Sequence, residues 1–483
     1  MKDTSNLRNL LNVVASALSA IEDYRVQIRD IDKRLLSLIQ ERFSLGDKLA
    51  ELKEARKLPI IDADAEQAVN DNLTNTAKDL GLPASFARRL GELLIEESVR
   101  EQEAARPKQS KDLLLKEIFE ITQKLLAKGH RVTRFEIGEP NFPASSQVIR
   151  GLTETFRKKK VVGYGPAAGL PELRKALAEE LSAQHNVRIE PDQILITPGG
   201  RFAIFATITS YISPLERVVI PQPAWPAYEE CVNFVKGRVI PINTNLEEHW
   251  EIDLGKLESE MKKGARMLVL NTPNNPTGKV IRRKKFEEIV ELAHRYGTSV
   301  LSDEVYDKYV HAEVSSILEA GYDDYVYINS FSKQFSLTGW RIAYLVTTKE
   351  KANRIKRVIQ TATTCVPEFI QRAALIAIQK GRREAQRNVN DIMKKVELTC
   401  RELSKIDVSF YKPDGAFYLF PRANKPNFDS VKFARRLLEQ HRVSISPGEA
   451  FGDYPAFFRL SVSLPRAQIP SAIKSIGKAI DAW

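Results

Sequence analysis

At 483 residues the chain is long enough for two or three domains, each with its own hydrophobic core. A composition of 43% hydrophobic and 28% charged residues is that of an ordinary globular protein, which excludes a disordered or fibrous chain. The net charge of +11 is scattered without a stripe of basic and aromatic residues, so we expect no nucleic-acid partner and predict small carboxylates or phosphates as ligands.

The cysteine and histidine content predicts neither a disulfide framework nor a metal site. Only three cysteines occur, far apart, and the six histidines lack metal-ligand spacing. No apolar run is long enough to span a membrane, so we expect no membrane partner. Residues 9–21 only faintly resemble a signal peptide, because Asn12 and Ser16 interrupt the apolar run. We therefore predict a cytoplasmic protein.

The first part of the chain, after an N-terminal extension of about residues 1–20, is predicted to be all helical. Apolar residues alternate at spacings of three and four from Ile21 to Leu52, which predicts a helix over about 21–54. A helix with such a stripe needs partner helices to bury it. Pro59 ends the first helix, a second begins at Asp62, and a third begins at about Ala84. The helical domain is predicted over 21–104.

Residues 105–112 are polar and form the predicted linker. Beyond them short β-rich runs alternate with helical stretches, which predicts an α/β domain with a mostly parallel sheet over about 140–379. Residues 380–483, with the N-terminal segment from 113, are predicted to form a smaller α+β subdomain. The predicted strands of the large part lie at 193–197, 217–221, 266–270, 299–302 and 325–328, and those of the small part at 415–420, 442–445 and 457–462.

Three motifs follow predicted strands of the α/β part in a fixed order. They are NTPNNPTG at 271–278, SDEVY at 302–306, and SFSK at 330–333 with Arg341 eight residues later. Each alone could be a turn or a helix cap, but ligands of open α/β sheets bind at the carboxyl ends of strands. Together the motifs resemble the fold-type I aminotransferases of the aspartate and aromatic aminotransferase family, over nearly all of residues 110–483. This resemblance implies pyridoxal 5′-phosphate as the cofactor.

The resemblance implies a role for each motif residue around the cofactor ring. Lys333 would bind the cofactor covalently and move the proton at the substrate Cα, which requires an amine of lowered pKa. Asp303 would pair with the pyridinium nitrogen, while Asn275 and Tyr306 would donate to the phenolic oxygen. Trp225 would stack on the ring and, like Asn275, border the substrate.

The phosphate of that cofactor requires donors and positive charge. The resemblance assigns this role to Arg341, Ser330 and Ser332, whose side chains can donate to phosphate oxygens. Gly200 and Arg201 follow a predicted strand and open a helix, where free backbone N–H groups face an anion. Tyr164 matches the family tyrosine that reaches the phosphate of the neighbouring subunit, which implies a homodimer or a larger homo-oligomer.

Substrate recognition requires a bidentate cation for the α-carboxylate that amino acids and 2-keto acids share. Arg459, inside the apolar run FFRLS, stands where the family places that arginine. Gly138, in the segment IGEP, would contribute a backbone N–H.

One cation interrupts the apolar stripe of the helical part. Arg42 occupies a core position of the apolar stripe, so it needs either a structural carboxylate or an anionic ligand. Lys53 lies eleven residues further on the same face and can bracket a small molecule with Arg42. Arg25 is seventeen residues before Arg42, about 25 Å away along one helix, so only a dimer-related helix could bring it to the same pocket.

This constellation resembles the all-helical chorismate mutases, over about residues 21–104. The family would assign Arg25 and Arg42 to the two substrate carboxylates, and Lys53 and Gln102 to the ether oxygen of the breaking bond. Asp62 and Glu66 would hold the ring hydroxyl, and Ser98 would line the pocket. The pericyclic rearrangement needs no nucleophile, so cations and amides that hold the folded substrate are sufficient.

The residue pattern therefore predicts a bifunctional enzyme of aromatic amino-acid synthesis. It would convert chorismate to prephenate and transaminate an aromatic or prephenate-type 2-keto acid with glutamate or aspartate. The family often has arginine where this chain has Ala65, in the motif around Asp62 and Glu66. The alternative is an aspartate aminotransferase with a degenerate, regulatory or dimerising mutase-like domain.

Overall fold

The computed structural model describes residues 3–55, 63–105, 111–158, 163–311 and 314–483. It divides into two compact units, residues 1–109 and residues 110–483. The first is all helical, and the second combines a mostly parallel sheet with a smaller mixed subdomain. The predicted fold class is confirmed, and each unit is described by itself below.

The helical unit contains α1 (Asp3–Ala55), α2 (Ala63–Asp79) and α3 (Ala84–Ala105). The first helix begins at Asp3 rather than at about residue 21, because the apolar segment that precedes Ile21 holds neither proline nor glycine to interrupt it. At 53 residues α1 spans about 80 Å. Pro59 and Asp62 lie outside the described residues.

Helices α2 and α3 pack closely against each other. A Cβ on Gly91 would overlap the side-chain oxygen of Asn70, so a larger residue there would require the Asn70 side chain to move. The small core of the unit includes Ala77, Ala87, Leu94 and Ile95, all on these two helices. Gly81 adopts a positive φ of 72° in the turn between α2 and α3, as a residue beyond a helix end often does.

The apolar stripe of α1 lies exposed in the single chain. Its members are at least 50% exposed, namely Tyr24, Ile28, Ile31, Leu35, Leu38, Leu45, Leu49 and Leu52. An exposed apolar patch of this extent indicates a contact surface.

The second unit contains thirteen helices and fourteen strands among the residues that the structure describes. The helices are α4 (Lys111–Ala127), α5 (Ser146–Lys158), α6 (Pro171–His185), α7 (Gly200–Tyr211), α8 (Ala227–Phe234), α9 (Leu254–Lys262), α10 (Arg283–Tyr296), α11 (Phe331–Gln334), α12 (Lys349–Thr363), α13 (Glu368–Lys380), α14 (Arg382–Leu403), α15 (Ser430–His441) and α16 (Ile469–Asp481). The strands are β1 (Thr133–Arg134), β2 (Ile194–Thr197), β3 (Arg217–Gln222), β4 (Arg238–Asn243), β5 (Ala265–Asn271), β6 (Ser299–Asp303), β7 (Tyr325–Ser330), β8 (Ala343–Val346), β9 (Val408–Ser409), β10 (Tyr418–Leu419), β11 (Arg422–Ala423), β12 (Val443–Ser444), β13 (Ser446–Pro447) and β14 (Phe458–Ser461).

Seven strands form the central sheet in the order β2-β8-β7-β6-β5-β3-β4. All run parallel except β8, which is antiparallel to both of its neighbours. The five strands predicted for this sheet are present, whereas β4 and β8 were not predicted. Strands β5, β6 and β7 are adjacent, so their carboxyl ends at Asn271, Asp303 and Ser330 meet at one edge.

The smaller subdomain combines segments from both ends of the unit. Strand β1 pairs in parallel with β12, so that Thr133 lies opposite Val443. Strands β10, β14 and β13 form an antiparallel sheet, and β9 pairs with β11. Helices α14 and α16 pack on this layer, whose core includes buried aromatic side chains such as Phe417 and Phe433.

No helix among the described residues is long and apolar enough to cross a membrane. Cys231, Cys365 and Cys400 are all free thiols. Within the same described part of the chain, no group of three or more metal-binding side chains is present.

A glycine turn joins the sheet to the smaller subdomain. Gly278 has a φ of +70°, and a Cβ there would overlap Pro413 and lie 2.7 Å from the carbonyl oxygen of Gly415. The Gly415 amide donates to the Gly278 carbonyl at 2.9 Å. A side chain at 278 could therefore be accommodated only if the segments around Gly278 and Gly415 moved apart and this hydrogen bond broke.

We predict that Gly278→Ala destabilises the second unit by roughly 2–5 kcal/mol, through strain at positive φ and through overpacking. Gly297 is the matched control: its φ is +63° and no atom lies within 4 Å of a Cβ built there, so Gly297→Ala should cost only about 1–2 kcal/mol. All four tryptophans lie between residues 225 and 483, so urea unfolding followed by tryptophan fluorescence reports this unit alone. Equal losses in the two variants would contradict the close contact at Gly278.

Candidate active site

The centre of the site in the second unit is a buried carboxylate at the end of β6. The Tyr228 hydroxyl donates to Oδ2 of Asp303 at 2.7 Å, and the Val305 amide lies 3.4 Å from Oδ1. Burial raises the pKa of Asp303 to about 6, against the opposing effects of the Tyr228 hydrogen bond and the nearby Lys333 charge. Above pH 6 this side chain is therefore a buried anion that faces a potential cationic ligand.

Lys333 lies in α11, directly after β7. Its Nζ donates to the Gly138 carbonyl at 2.5 Å and lies 5.5 Å from the centre of the Tyr306 ring. Burial of the amine, followed by the positive charge of Arg459, lowers the pKa of Lys333 to about 8. About a tenth of the amine is therefore neutral, and so nucleophilic, at pH 7, far more than for an ordinary lysine.

An anion cradle lies beside this lysine. Gly199 has a φ of +92°, and the space of its missing side chain is filled by the guanidinium of Arg341. Helix α7 begins at Gly200 and presents its first backbone N–H groups at this edge. Ser330 donates to the Ile342 carbonyl at 3.2 Å and accepts from the Ser332 amide at 3.0 Å.

The Arg201 side chain points to neighbouring carboxylates. Its guanidinium lies 3.5 Å from both Asp112 and Glu230, and its Cζ stands 4.8 Å from the centre of the Trp225 ring. Any contribution of Arg201 to phosphate binding thus comes from its backbone N–H in the first turn of α7. Trp225 also meets Tyr228 edge to face, with ring centres 5.6 Å apart.

The predicted carboxylate-binding arginine is buried in β14. Nη1 of Arg459 donates to Oδ1 of Asn275 at 3.0 Å, and Nη2 donates to the Glu136 carbonyl at 2.7 Å and to the Ser446 hydroxyl at 3.2 Å. Its Nε is buried without a hydrogen-bond partner in the protein. A buried donor of this kind indicates a ligand acceptor. The bond to Oδ1 also makes the amide nitrogen the donor end of Asn275.

Tyr306 lies with these residues, whereas Tyr164 does not. The Tyr306 hydroxyl is 2.8 Å from the Tyr418 hydroxyl, beside Gly138 and Lys333. Tyr164 is 90% exposed in the single chain, next to the Gly165 amide, which lies 3.3 Å from the Cys365 sulfur. Its role toward a neighbouring subunit stays a prediction.

This donor set fits pyridoxal phosphate. A buried carboxylate suits a pyridinium N–H, a partly neutral lysine suits an aldehyde, and a helix N-terminus with Arg341 and the Ser332 hydroxyl suits a phosphate, whereas the Ser330 hydroxyl already donates to the Ile342 carbonyl. Two residues that the sequence did not reveal contribute to the site, together with Asn271, which lies in the 271–278 motif but had no predicted role of its own. Tyr228 and Tyr418 lie in apolar segments typical of a core, and Asn271 supports both Asp303 and Asn275 through hydrogen bonds at 2.9 and 2.7 Å.

The candidate site of the helical unit centres on Arg42. Its Nη1 donates to the Leu94 carbonyl and to the Ser98 hydroxyl, both at 3.0 Å, which joins α1 to α3. Burial lowers the pKa of Arg42 from its ordinary value. Neither contact involves a carboxylate, so the charge of this half-buried guanidinium is not neutralised by either partner.

The other predicted residues of the helical unit are only partly placed. Arg25 is exposed and pairs with Glu22 at 3.3 Å, far along α1 from Arg42. Lys53 lies half-buried near the end of α1. Asp62 lies outside the described residues, and the side chains of Glu66 and Gln102 do as well, so their roles stay predictions.

Comparison with known proteins identifies a family for each of the two units. The family model "Aminotransferase class I and II" matches residues 130–476, and "Chorismate mutase type II" matches residues 24–103. The aspartate aminotransferase of Thermotoga maritima is 34% identical over 73% of this chain and 92% of its own length. A probable aspartate/prephenate aminotransferase of Aquifex aeolicus is 32% identical over 74% and 93%. The crystal structure of the Thermotoga maritima enzyme superposes with a TM-score of 0.72 at 32% identity, covering 76% of this chain and 97% of that one.

The lowered pKa of Lys333 generates a pH prediction. We expect the apoprotein to capture pyridoxal phosphate covalently at a rate that falls about tenfold per pH unit below about pH 8, as the amine becomes protonated. Arg459→Gln removes the second cause of the shift, so its transition should move to higher pH. Stopped-flow absorbance in the visible range measures the rate of capture against pH for the wild type and for Arg459→Gln, with Lys333→Ala as the blank. A wild-type transition near the ordinary lysine value of 10.5 would refute the assignment.

Proposed function

The chain belongs to the class I and II aminotransferases and carries a type II chorismate mutase domain ahead of the aminotransferase, and from this premise we propose a bifunctional enzyme of aromatic amino-acid synthesis. The mutase converts chorismate to prephenate. The aminotransferase uses pyridoxal phosphate to transaminate a prephenate-type or aromatic 2-keto acid, with glutamate or aspartate as the amino donor.

The observation that carries this proposal is the presence of both family domains on one chain. Joining a second enzyme to the mutase raises the concentration of the mutase product near that enzyme. The gain is useful only if the product, or a near descendant, is a substrate of the aminotransferase. The Aquifex aeolicus relative, named as a probable aspartate/prephenate aminotransferase, supports the same substrate class.

The aminotransferase residues divide the work between binding and proton transfer. Arg459 binds the α-carboxylate through its unpartnered Nε and the adjacent nitrogens. Lys333, whose pKa is lowered to about 8, accepts and returns the proton at the substrate Cα. Bound pyridoxal phosphate supplies the electron sink that stabilises negative charge at that carbon. Asp303 holds the proton of the ring nitrogen in place.

The mutase residues act by holding one substrate conformer. The Leu94 carbonyl and the Ser98 hydroxyl fix the Arg42 guanidinium so that its remaining N–H groups face a carboxylate of chorismate. Lys53 and Gln102 stabilise negative charge on the breaking ether oxygen, and Asp62 with Glu66 holds the ring hydroxyl. Positioning and electrostatic stabilisation are together sufficient for this rearrangement.

We propose that the functional enzyme is a homodimer or a larger homo-oligomer. The exposed apolar stripe of α1 supports a helix–helix contact between copies. The two arginines lie about 25 Å apart on one helix, so Arg25 can complete the Arg42 site only from a second copy. Tyr164, exposed in the single chain, would reach the phosphate of a neighbouring subunit in the same way.

A second candidate is an aspartate aminotransferase whose helical domain only regulates or dimerises. Ala65, which replaces the arginine common in the mutase family, favours this alternative. The name of the Thermotoga maritima relative, aspartate aminotransferase, agrees with it too. The two candidates differ in chorismate turnover and in keto-acid preference.

Subunit mixing tests the mutase assignment. We expect Arg25→Ala and Arg42→Ala each to reduce mutase kcat/KM by about 100-fold or more, because each removes a charged contact to the substrate. Refolding the two inactive variants together should restore about a quarter of wild-type activity, because half of the dimers are mixed and each mixed dimer has one intact site. Mixing Arg42→Ala with Lys333→Ala is the control for refolding, since the latter carries an intact Arg25 and Arg42.

No recovery with the Arg25→Ala and Arg42→Ala mixture, when an affinity tag on one variant shows that mixed dimers have formed and the control has refolded, would mean that the two arginines act in the same chain. No conversion of chorismate by the wild-type protein would favour the regulatory alternative.

Steady-state kinetics test the keto-acid preference. We expect prephenate, phenylpyruvate or hydroxyphenylpyruvate to be transaminated with a kcat/KM at least equal to that of oxaloacetate. The physical reason is that all carry the group bound by Arg459 and differ only at the other end. An oxaloacetate preference of a hundredfold or more, about 2.7 kcal/mol, would identify a general aspartate aminotransferase. Lys333→Ala measures the background.

A further inference from the structure

Tyr418 connects three parts of the aminotransferase site. It is fully buried in β10, in the smaller subdomain. Its hydroxyl lies 2.8 Å from the Tyr306 hydroxyl and 3.3 Å from the Gly138 carbonyl oxygen. Its ring lies under the guanidinium of Arg459, whose Cζ is 4.8 Å from the ring centre. Tyr418 thus contacts the predicted phenolic-oxygen donor, the carbonyl that accepts from Lys333, and the carboxylate-binding arginine.

The hydroxyl of Tyr418 has two possible acceptors. The Gly138 carbonyl lies 3.3 Å away and, in the free protein, also accepts from Lys333 Nζ at 2.5 Å. The Tyr306 oxygen is the nearer acceptor. A hydroxyl carries one proton, so when Tyr306 donates to a ligand its oxygen is left to accept from Tyr418. Donation into Tyr306 strengthens the hydrogen bond that Tyr306 itself makes.

We propose that Tyr418 is a positioning residue of the aminotransferase site, whose hydroxyl directs the Tyr306 proton to the phenolic oxygen of the bound cofactor and whose ring holds Arg459 for the substrate carboxylate. This proposal rests on the roles proposed above for Tyr306 and Arg459. It assigns separate functions to the two parts of one side chain, and these can be removed separately.

Gly138 provides an independent constraint on the same hydroxyl. A Cβ built on Gly138 would lie 2.5 Å from the Tyr418 oxygen, and the next nearest atom, the ring carbon that bears it, is 3.3 Å away. An alanine at 138 is therefore blocked mainly by the hydroxyl group. Without that oxygen the remaining contacts require only a small adjustment.

The main test is the pH titration of the visible absorption band of the holoenzyme. Tyr418→Phe weakens the hydrogen bond from Tyr306, so negative charge on the phenolic oxygen is less stabilised and the midpoint should rise by at least about half a pH unit, roughly threefold in proton affinity. Tyr322→Phe is the matched control, because Tyr322 is a buried tyrosine whose hydroxyl donates to the Thr298 carbonyl at 2.9 Å, outside the site. Its midpoint should equal that of the wild type.

Kinetics separate the ring from the hydroxyl. Tyr418→Phe keeps the ring, so KM for the amino-acid donor should stay within about twofold of wild type, whereas Tyr418→Leu loses the cation–π contact and should raise KM about fivefold or more. The double variant Gly138→Ala with Tyr418→Phe should have the midpoint of Tyr418→Phe alone. The reason is that Gly138→Ala acts by displacing the Tyr418 hydroxyl, which Tyr418→Phe has already removed.

An unchanged midpoint in Tyr418→Phe, or additive shifts in the double variant, would overturn the proposal. Failure of the underlying function is distinguishable, since wild-type protein would then show no visible band with pyridoxal phosphate at all.

Discussion

The whole aminotransferase site depends on the cost of burying one amine. A lysine in a low-dielectric site prefers to lose its proton, and two nearby cations, Arg459 first and Arg341 more weakly, increase that preference. The site is therefore arranged so that the amine is held by a carbonyl oxygen and not by a carboxylate. A close carboxylate would stabilise the charged amine and raise its pKa, which would abolish the nucleophile. The charge of Asp303 raises the pKa of Lys333 from a distance, while its hydrogen-bond partners are the Tyr228 hydroxyl and the Val305 amide.

Three distant segments must meet to create this environment. The sheet brings Asn271, Asp303 and Ser330 to one edge, the segment after β1 contributes the Gly138 carbonyl, and β14 contributes Arg459.

The sequence indicated the residues at the sheet edge well, because apolar runs such as Met267–Leu270 are followed directly by polar motifs. It indicated Arg459 because a charge inside the run FFRLS needs a reason. It could not indicate Tyr418, since a tyrosine in GAFYLF is indistinguishable from core until its hydroxyl partners are known. Strand β4 escaped prediction because it lies at the sheet edge and contains Pro241, and β8 because it is short and closely follows the Lys333 motif.

In the helical unit the sequence gives two other kinds of information. The spacing of apolar residues predicts a helix, and a charged residue within the apolar stripe predicts a ligand. The spacing of the apolar stripe was sufficient to find α1, but not its beginning, because nothing in the first twenty residues terminates a helix. Arg42 is the one cation at a core position of the apolar stripe, which predicts a partner or a ligand for its charge. Its two neutral partners satisfy one nitrogen of the guanidinium and leave the charge to be matched by an anion. The apolar residues around Arg42 are exposed in one copy. The unmatched charge therefore indicates an anionic ligand, and the exposed apolar surface indicates a partner chain.

The pairing of β1 with β12 has a consequence for how the protein is made. Thr133 and Val443 are neighbours in space but about 300 residues apart along the chain. On the ribosome the segment around Thr133 emerges long before its partner, and it must stay unpaired while the entire central sheet is synthesised. The Gly138 carbonyl belongs to this waiting segment. The lysine pocket can therefore be completed only after the chain has been synthesised as far as β12, well beyond the segment that carries Lys333.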